Sequence, residues 1–263
     1  MDEQAQGPQD QEAVKDVIAK AIERQERQVD EHVAAFGPEH VETLTMRSEL
    51  AYSYWQSGRS EDASAIEEEV LEISERTLGA DSPATLRARV NLAASYWSAG
   101  RLDEAIHIEE EVLAATERVL GPDHLDTLTA RSNLSFSYAS AGRTEDAIVV
   151  LRQVLEDRIR VMGPDDGETM DARSNLASTL WSADHHDESI AVEEDLTREA
   201  ARILGPAHED ALTARRDLAS SYRAAGRAEE ARAAQQALVA DHERIFGPEH
   251  PATVGAQKIL DDG

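Results

Sequence analysis

The apolar residues of this chain recur at helical spacing, and the pattern itself recurs. Over 84–99, Leu86, Ala93 and Tyr96 lie seven and three residues apart; over 102–119, Leu102, Ala105 and Val112 follow in the reverse order. Steps of this kind keep side chains on one face of an α-helix. The turn Gly100-Arg101 separates the two segments, and Leu120-Gly121-Pro122 closes the second. Glycine just past a helix end supplies the left-handed cap, and proline stops continuation. Ser82-Pro83 predicts an N-cap with proline at the first helical position. The pair reads as a helical hairpin, helix A then helix B.

The hairpin returns with a period of 42 residues. Gly37, Gly79, Gly121, Gly163, Gly205 and Gly247 mark the ends of B helices. Gly58, Gly100, Gly142 and Gly226 mark the A–B turns, with Asp184 standing at the one gap. A fixed period of this length indicates one supersecondary unit stacked on itself. The predicted layout is a disordered tail over 1–10 and a single array over 11–261. Within it, 11–36 is a leading B helix, 42–78, 84–120, 126–162, 168–204 and 210–246 are five A–B hairpins, and 251–261 is a closing A helix. The leading helix carries the stripe Val14, Val17, Ile18, Ala21, Ile22, Val29 and Val33.

Antiparallel pairing makes the repeat testable. Setting Ala93 opposite Ala105 makes one column small in every copy: Ala51/Ala63, Ala93/Ala105, Ser135/Ala147, Ala177/Ser189 and Ala219/Ala231. Small residues let two helix axes approach closely. A second column is apolar throughout: Leu44/Val70, Leu86/Val112, Leu128/Val154, Met170/Leu196 and Leu212/Leu238. The same rule sets Arg47 opposite Glu67, Arg89 opposite Glu109 and Arg173 opposite Glu193, predicting a ladder of partly buried Arg–carboxylate contacts.

Composition narrows the function classes. With 26 basic and 53 acidic residues the net charge is −27, which argues against nucleic acid and anionic membrane as partners. There is no cysteine, so disulfides and thiolate chemistry are excluded. No apolar run approaches membrane length and no signal peptide is evident, giving a cytoplasmic expectation. No nucleophile–base set, paired catalytic carboxylate or phosphate-binding glycine loop stands out, so neither an enzyme nor a cofactor is expected. Asp184-His185-His186-Asp187 interrupts the fourth turn; adjacent histidines do not share a helix face, and no metal site is expected. The recurrent His40, His124, His208 and His250 read as linker turn residues.

Leu92-Ala93, Tyr96, Gly100 and Ala105 fall on the consensus of the tetratricopeptide repeat, which the chain resembles over residues 11–261. The 42-residue length, Asn91-Leu92-Ala93, Asn175-Leu176-Ala177 and the linker Leu120-Gly121-Pro122-Asp123-His124 are similar to the kinesin light chain subtype, including bacterial arrays. The resemblance implies an all-α, right-handed superhelical solenoid whose A helices line a concave face. On that geometry the charge separates. The B segments 60–77 and 102–119 hold thirteen acidic and two basic residues, whereas the A segments 42–57 and 84–99 hold two and three.

The implied groove collects unusual residues. Tyr52, Trp55, Trp97, Phe136 and Trp181 fall on A-helix positions expected to face it, and all three tryptophans share one column. Such side chains dominate binding hot spots. Asn91, Asn133 and Asn175 share another column; the resemblance implies contact with the backbone of an extended peptide, which an amide suits as donor and acceptor. Glu49 and Asp217 replace asparagine in the outer copies, and Arg87 adds positive charge. The expected function is a scaffold that binds a protein or peptide segment. The alternative is a sensor or oligomerisation module of a larger signalling system, homodimerising through its unpaired end helices.

Overall fold

The computed structural model describes residues 8–262, with side chains from Val17 onward; residues 1–7 of the expected tail, and Val14 of the leading stripe, lie outside that description. The described residues form twelve α-helices and no strand. They fall into two units, Met1–Ala141 and Gly142–Gly263. The first holds α1 (Pro8–Phe36), α2 (Val41–Gln56), α3 (Ser60–Leu78), α4 (Pro83–Ser98), α5 (Leu102–Leu120) and α6 (Leu125–Ser140). The second holds α7 (Thr144–Val161), α8 (Gly167–Ser182), α9 (His186–Ile203), α10 (Glu209–Ala224), α11 (Ala228–Phe246) and α12 (Pro251–Asp262). Within each unit every helix packs on the next in sequence.

The small column is buried between the helices of each hairpin. Ala63 and Ala105 are fully buried, as are Ala51 and Ala93 opposite them. In the second unit Ser189 Oγ donates to the Ala177 carbonyl at 2.7 Å, placing that pair face to face. Leu44, Val70, Val112, Leu212 and Leu238 of the apolar column are also buried.

Helix starts and ends are fixed by side chains that the periodicity alone does not reveal. The linker histidines are N-caps: Nδ1 of His40, His124, His208 and His250 accepts from the backbone N–H two residues on, at 3.2–3.3 Å. Ser82 and Asp166 do the same work at the other two linkers. A buried threonine then ties five of the six linkers to the preceding B helix, Ala211 standing in its place after Gly205. Thr43, Thr85, Thr127, Thr169 and Thr253 donate to the carbonyls of Gly37, Gly79, Gly121, Gly163 and Gly247 at 2.7–3.0 Å. Each bond satisfies a carbonyl that the helix end leaves without an intrahelical donor.

A third tie runs from four of the A helices back to the preceding B helix. The hydroxyls of Tyr96, Tyr138 and Tyr222 donate to Glu68, Glu110 and Glu194 at 2.8, 2.7 and 2.5 Å, and Tyr54 donates to Glu26. The turn arginines Arg59, Arg101 and Arg227 stack over Tyr54, Tyr96 and Tyr222 at 4.1–4.8 Å. In the fourth repeat Leu180 replaces the tyrosine and Arg152 the glutamate, so both partners change together. Arg152 pairs with Glu188 instead.

At the fourth turn Asp184 adopts φ 61°, where Gly100 has φ 76°. A side chain in this left-handed conformation costs free energy that glycine avoids. Asp184→Gly is therefore expected to raise stability by about 1 kcal/mol, read as a higher thermal midpoint. A lower midpoint would mean that the aspartate side chain contributes more than its backbone strain costs.

Candidate functional site

The predicted Arg–carboxylate ladder is not the one that forms. Arg47 pairs with Glu69 at 3.2 Å, and Arg89 pairs with Glu75 at 2.5 Å while approaching Glu111 at 3.6 Å. Arg173 reaches the Pro164 carbonyl at 3.4 Å. Arg47 and Arg89 reach carboxylates at the solvated margin, which spares the cost of burying both charges. The glutamates expected as partners turn inward instead. Glu67 is 2 % exposed and accepts from Ser48 Oγ at 3.1 Å. Burial pushes its carboxyl up to about 7, against the pull of hydrogen bonds from Ser48 and Asn91. Burial likewise raises Glu109 and Glu193, and Ser137 and Ser221 respectively oppose the rise.

Glu67 forms the floor of a groove of about 960 Å³ in the first unit. One wall is α2, with Leu44, Ser48, Glu49, Tyr52 and Trp55; the other is α4, with Arg87, Ala88, Asn91 and Ser95; Val70 and Ser74 of α3 complete the floor. Tyr52 and Trp55 stack on each other with centroids 5.4 Å apart. Both are exposed, at 57 % and 43 %. Arg87 is exposed and makes no ion pair among the described residues. Asn91 is the one asparagine of the predicted three that touches a groove carboxyl. Asn133 lies exposed on α6 near neither Tyr52 nor Trp55 in sequence or helix, and Trp97 of α4 meets Phe136 of α6 at 5.5 Å as a second exposed aromatic pair.

The second unit repeats this groove three periods on, with a volume of about 780 Å³. Trp181 takes the place of Trp55, Ser174 of Ser48, Glu193 of Glu67 and Asp217 of Asn91. Asp165, Asp171 and Asp210 also line it, and no arginine or lysine does. One carboxylate oxygen of Glu193 is buried without a hydrogen-bond partner among the described residues. Trp181 differs from Trp55 in being half-buried: it packs on the cluster of Ile190, Leu218 and Tyr222 and meets the His186 ring, tilted, at 4.3 Å. Asn175 is exposed on α8 and does not line this groove. His185 and His186 diverge, toward Glu145 at 3.3 Å and Asp184 at 3.7 Å.

The floor glutamates were visible in the sequence only as supposed arginine partners. Their column (Glu67, Glu109, Leu151, Glu193, Gln235) mixes charged, apolar and amide residues, which marks an interior position better than a solvated one. In the fifth copy Gln235 is buried and donates to the Ala256 carbonyl at 2.7 Å.

Two tetratricopeptide repeat family models match the sequence, one over residues 68–117 and 90–160, the other over 43–84, 169–210 and 211–252. The chain belongs to the tetratricopeptide repeat family. The described helices form an all-α repeat solenoid of the kind seen in solved kinesin light chain-like structures. A putative kinesin light chain with nearly identical tetratricopeptide-like repeats from Podosopora anserina is 25 % identical, with TM-score 0.68, covering 79 % of this chain and 98 % of that one. BtubC (BKLC) from P. vanneervenii is 21 % identical, with TM-score 0.61 and coverage of 91 % and 93 %. A Rap protein complexed with competence and sporulation factor shares the fold at 11 % identity and TM-score 0.51, covering 95 % and 71 %. No curated protein matches in sequence. Tetratricopeptide arrays are typically non-catalytic scaffolds, consistent with protein–protein interaction. No described helix is long and apolar enough to cross a membrane.

Proposed function

We propose that this tetratricopeptide array is a protein-binding scaffold whose first-unit groove receives an extended segment of a partner protein. The observation that carries the reading is the coincidence, in one groove, of an exposed aromatic pair, an uncommitted arginine and an amide at the wall. Tyr52 and Trp55 would cover apolar side chains of the segment, Arg87 would meet a carboxylate or carbonyl, and Asn91 would hydrogen-bond its backbone. Trp97, Phe136 and Asn133 extend the same chemistry on α4 and α6. In the second unit Trp181 and five groove carboxylates favour a basic stretch, with Asn175 alongside on α8.

A comparative pull-down from native lysate tests this. Tyr52→Ala/Trp55→Ala should weaken capture of the principal partner by roughly tenfold or more, as loss of aromatic hot spots does, with helicity unchanged by circular dichroism. Equal capture by wild type and variant would contradict the groove as the site.

A further inference from the structure

His32, His40 and Glu42 converge where α1 meets α2. Each offers one ligand atom such that all three lie within 4.8 Å of one another. His32 Nε2 stands 3.4 Å from Glu42 Oε2. Among the described residues this is the single cluster of its kind.

The repeat supplies an internal control for reading it. The column of His32 continues as Ser74, Thr116, Arg158, Ala200 and His242. That of Glu42 continues as Ala84, Asp126, Glu168, Asp210 and Ala252. Two imidazoles and a carboxylate therefore coincide at the first linker alone. The last linker has the histidines without the acid. There His242 and His250 flank Phe246 at 5.6 and 4.8 Å, as His32 and His40 flank Phe36 at 4.5 and 5.2 Å. The His–Phe–His ring contact is thus common to both junctions and gives histidine a role there without an ion. What differs is the free edge of the ring: His242 Nδ1 turns to the Ala252 carbonyl at 3.2 Å, whereas His32 Nε2 turns to a carboxylate.

We propose that His32, His40 and Glu42 form a binding site for a divalent cation of the zinc, cobalt or nickel class, which clamps α1 to α2. Two neutral imidazoles with one carboxylate are a donor set these ions accept, leaving a fourth position for water. His32 is half-buried and Glu42 is exposed, so the ion has both a shielded ligand and an entry path. Ligation has a local cost. His40 Nδ1 accepts the N–H of Glu42 at 3.3 Å, and a neutral imidazole has only one nitrogen lone pair. Binding the ion at His40 gives up this long cap, which sets the affinity below that of a dedicated structural zinc site.

Cobalt(II) titrated into the tag-free full-length chain after chelator treatment tests the site, with zinc as competitor. The expected result is one equivalent bound, with visible d–d bands that zinc abolishes, and a raised thermal midpoint. Binding should weaken at least tenfold in His32→Ala and in Glu42→Gln, and persist in His242→Ala, with circular dichroism confirming that each variant is folded. Absence of d–d bands in the wild type, or equal binding in His32→Ala and wild type, would overturn the proposal. So would an equal loss in His242→Ala, which would place the ion at the other junction.

Discussion

Ala105→Leu is expected to destabilise the first unit by roughly 2–3 kcal/mol, the upper part of the range for overpacking a well-filled core. Ala105 is fully buried in the first turn of α5, among Ala88, Leu92 and Tyr96. Its column holds alanine or serine in every copy, as a close approach of the A and B backbones requires. Leucine adds three carbons with no void to receive them, so the helices must separate and unseat the Leu92 and Tyr96 contacts as well. Ala114 lies exposed on the same helix, and Ala114→Leu serves as the control, expected to change stability by less than about 0.5 kcal/mol. Urea unfolding followed by circular dichroism reads both. Equal midpoints for the two variants would mean that the small column is not a close approach.

Glu67→Gln is expected to stabilise the protein at pH 8 and to change little at pH 5. The native carboxyl keeps its proton up to about 7, whereas an ordinary glutamate loses it near 4.5. The native state therefore binds the extra proton. Its stability falls as pH rises from the ordinary value to the raised one, and the full cost is present above about pH 7. The cost is on the order of 3 kcal/mol. No cation relieves it: Arg47 is committed to Glu69 and Arg89 to Glu75, and Arg87 stands at the groove rim. Ser48 and Asn91 are the neutral groups that face the carboxyl. Glutamine keeps the shape and removes the charge, as the chain itself does at Gln235. The test is the difference between variant and wild type in urea midpoint at each pH, which cancels the titration of other groups. A variant that is equally stabilised at both pH values, or at neither, would show that Glu67 does not titrate in this range.

The repeat made most of the fold legible. Each position could be read in several copies, so helix limits and the small and apolar columns emerged from spacing alone. Side-chain direction within a column was less accessible. Arg89 and Glu109 do sit on facing helices, but a guanidinium reaches several ångströms, and desolvation decides which carboxylate it takes. The threonine caps and the Tyr–Glu ties join positions in different elements, and only the paired change to Leu180 and Arg152 records such a tie in the sequence. Of the groove residues, Tyr52, Trp55, Arg87 and Asn91 come together in the first unit as a set. Trp181 divides its surface between a groove and the core, where it meets His186 at the start of α9.

The most direct measurement of the central claim is hydrogen exchange of the full chain with and without the partner segment recovered by pull-down. Binding in the first-unit groove predicts slowed exchange over 48–56 of α2 and 84–95 of α4, with α5 unchanged. Protection confined to other helices, with α2 and α4 exchanging as in the free protein, would contradict it.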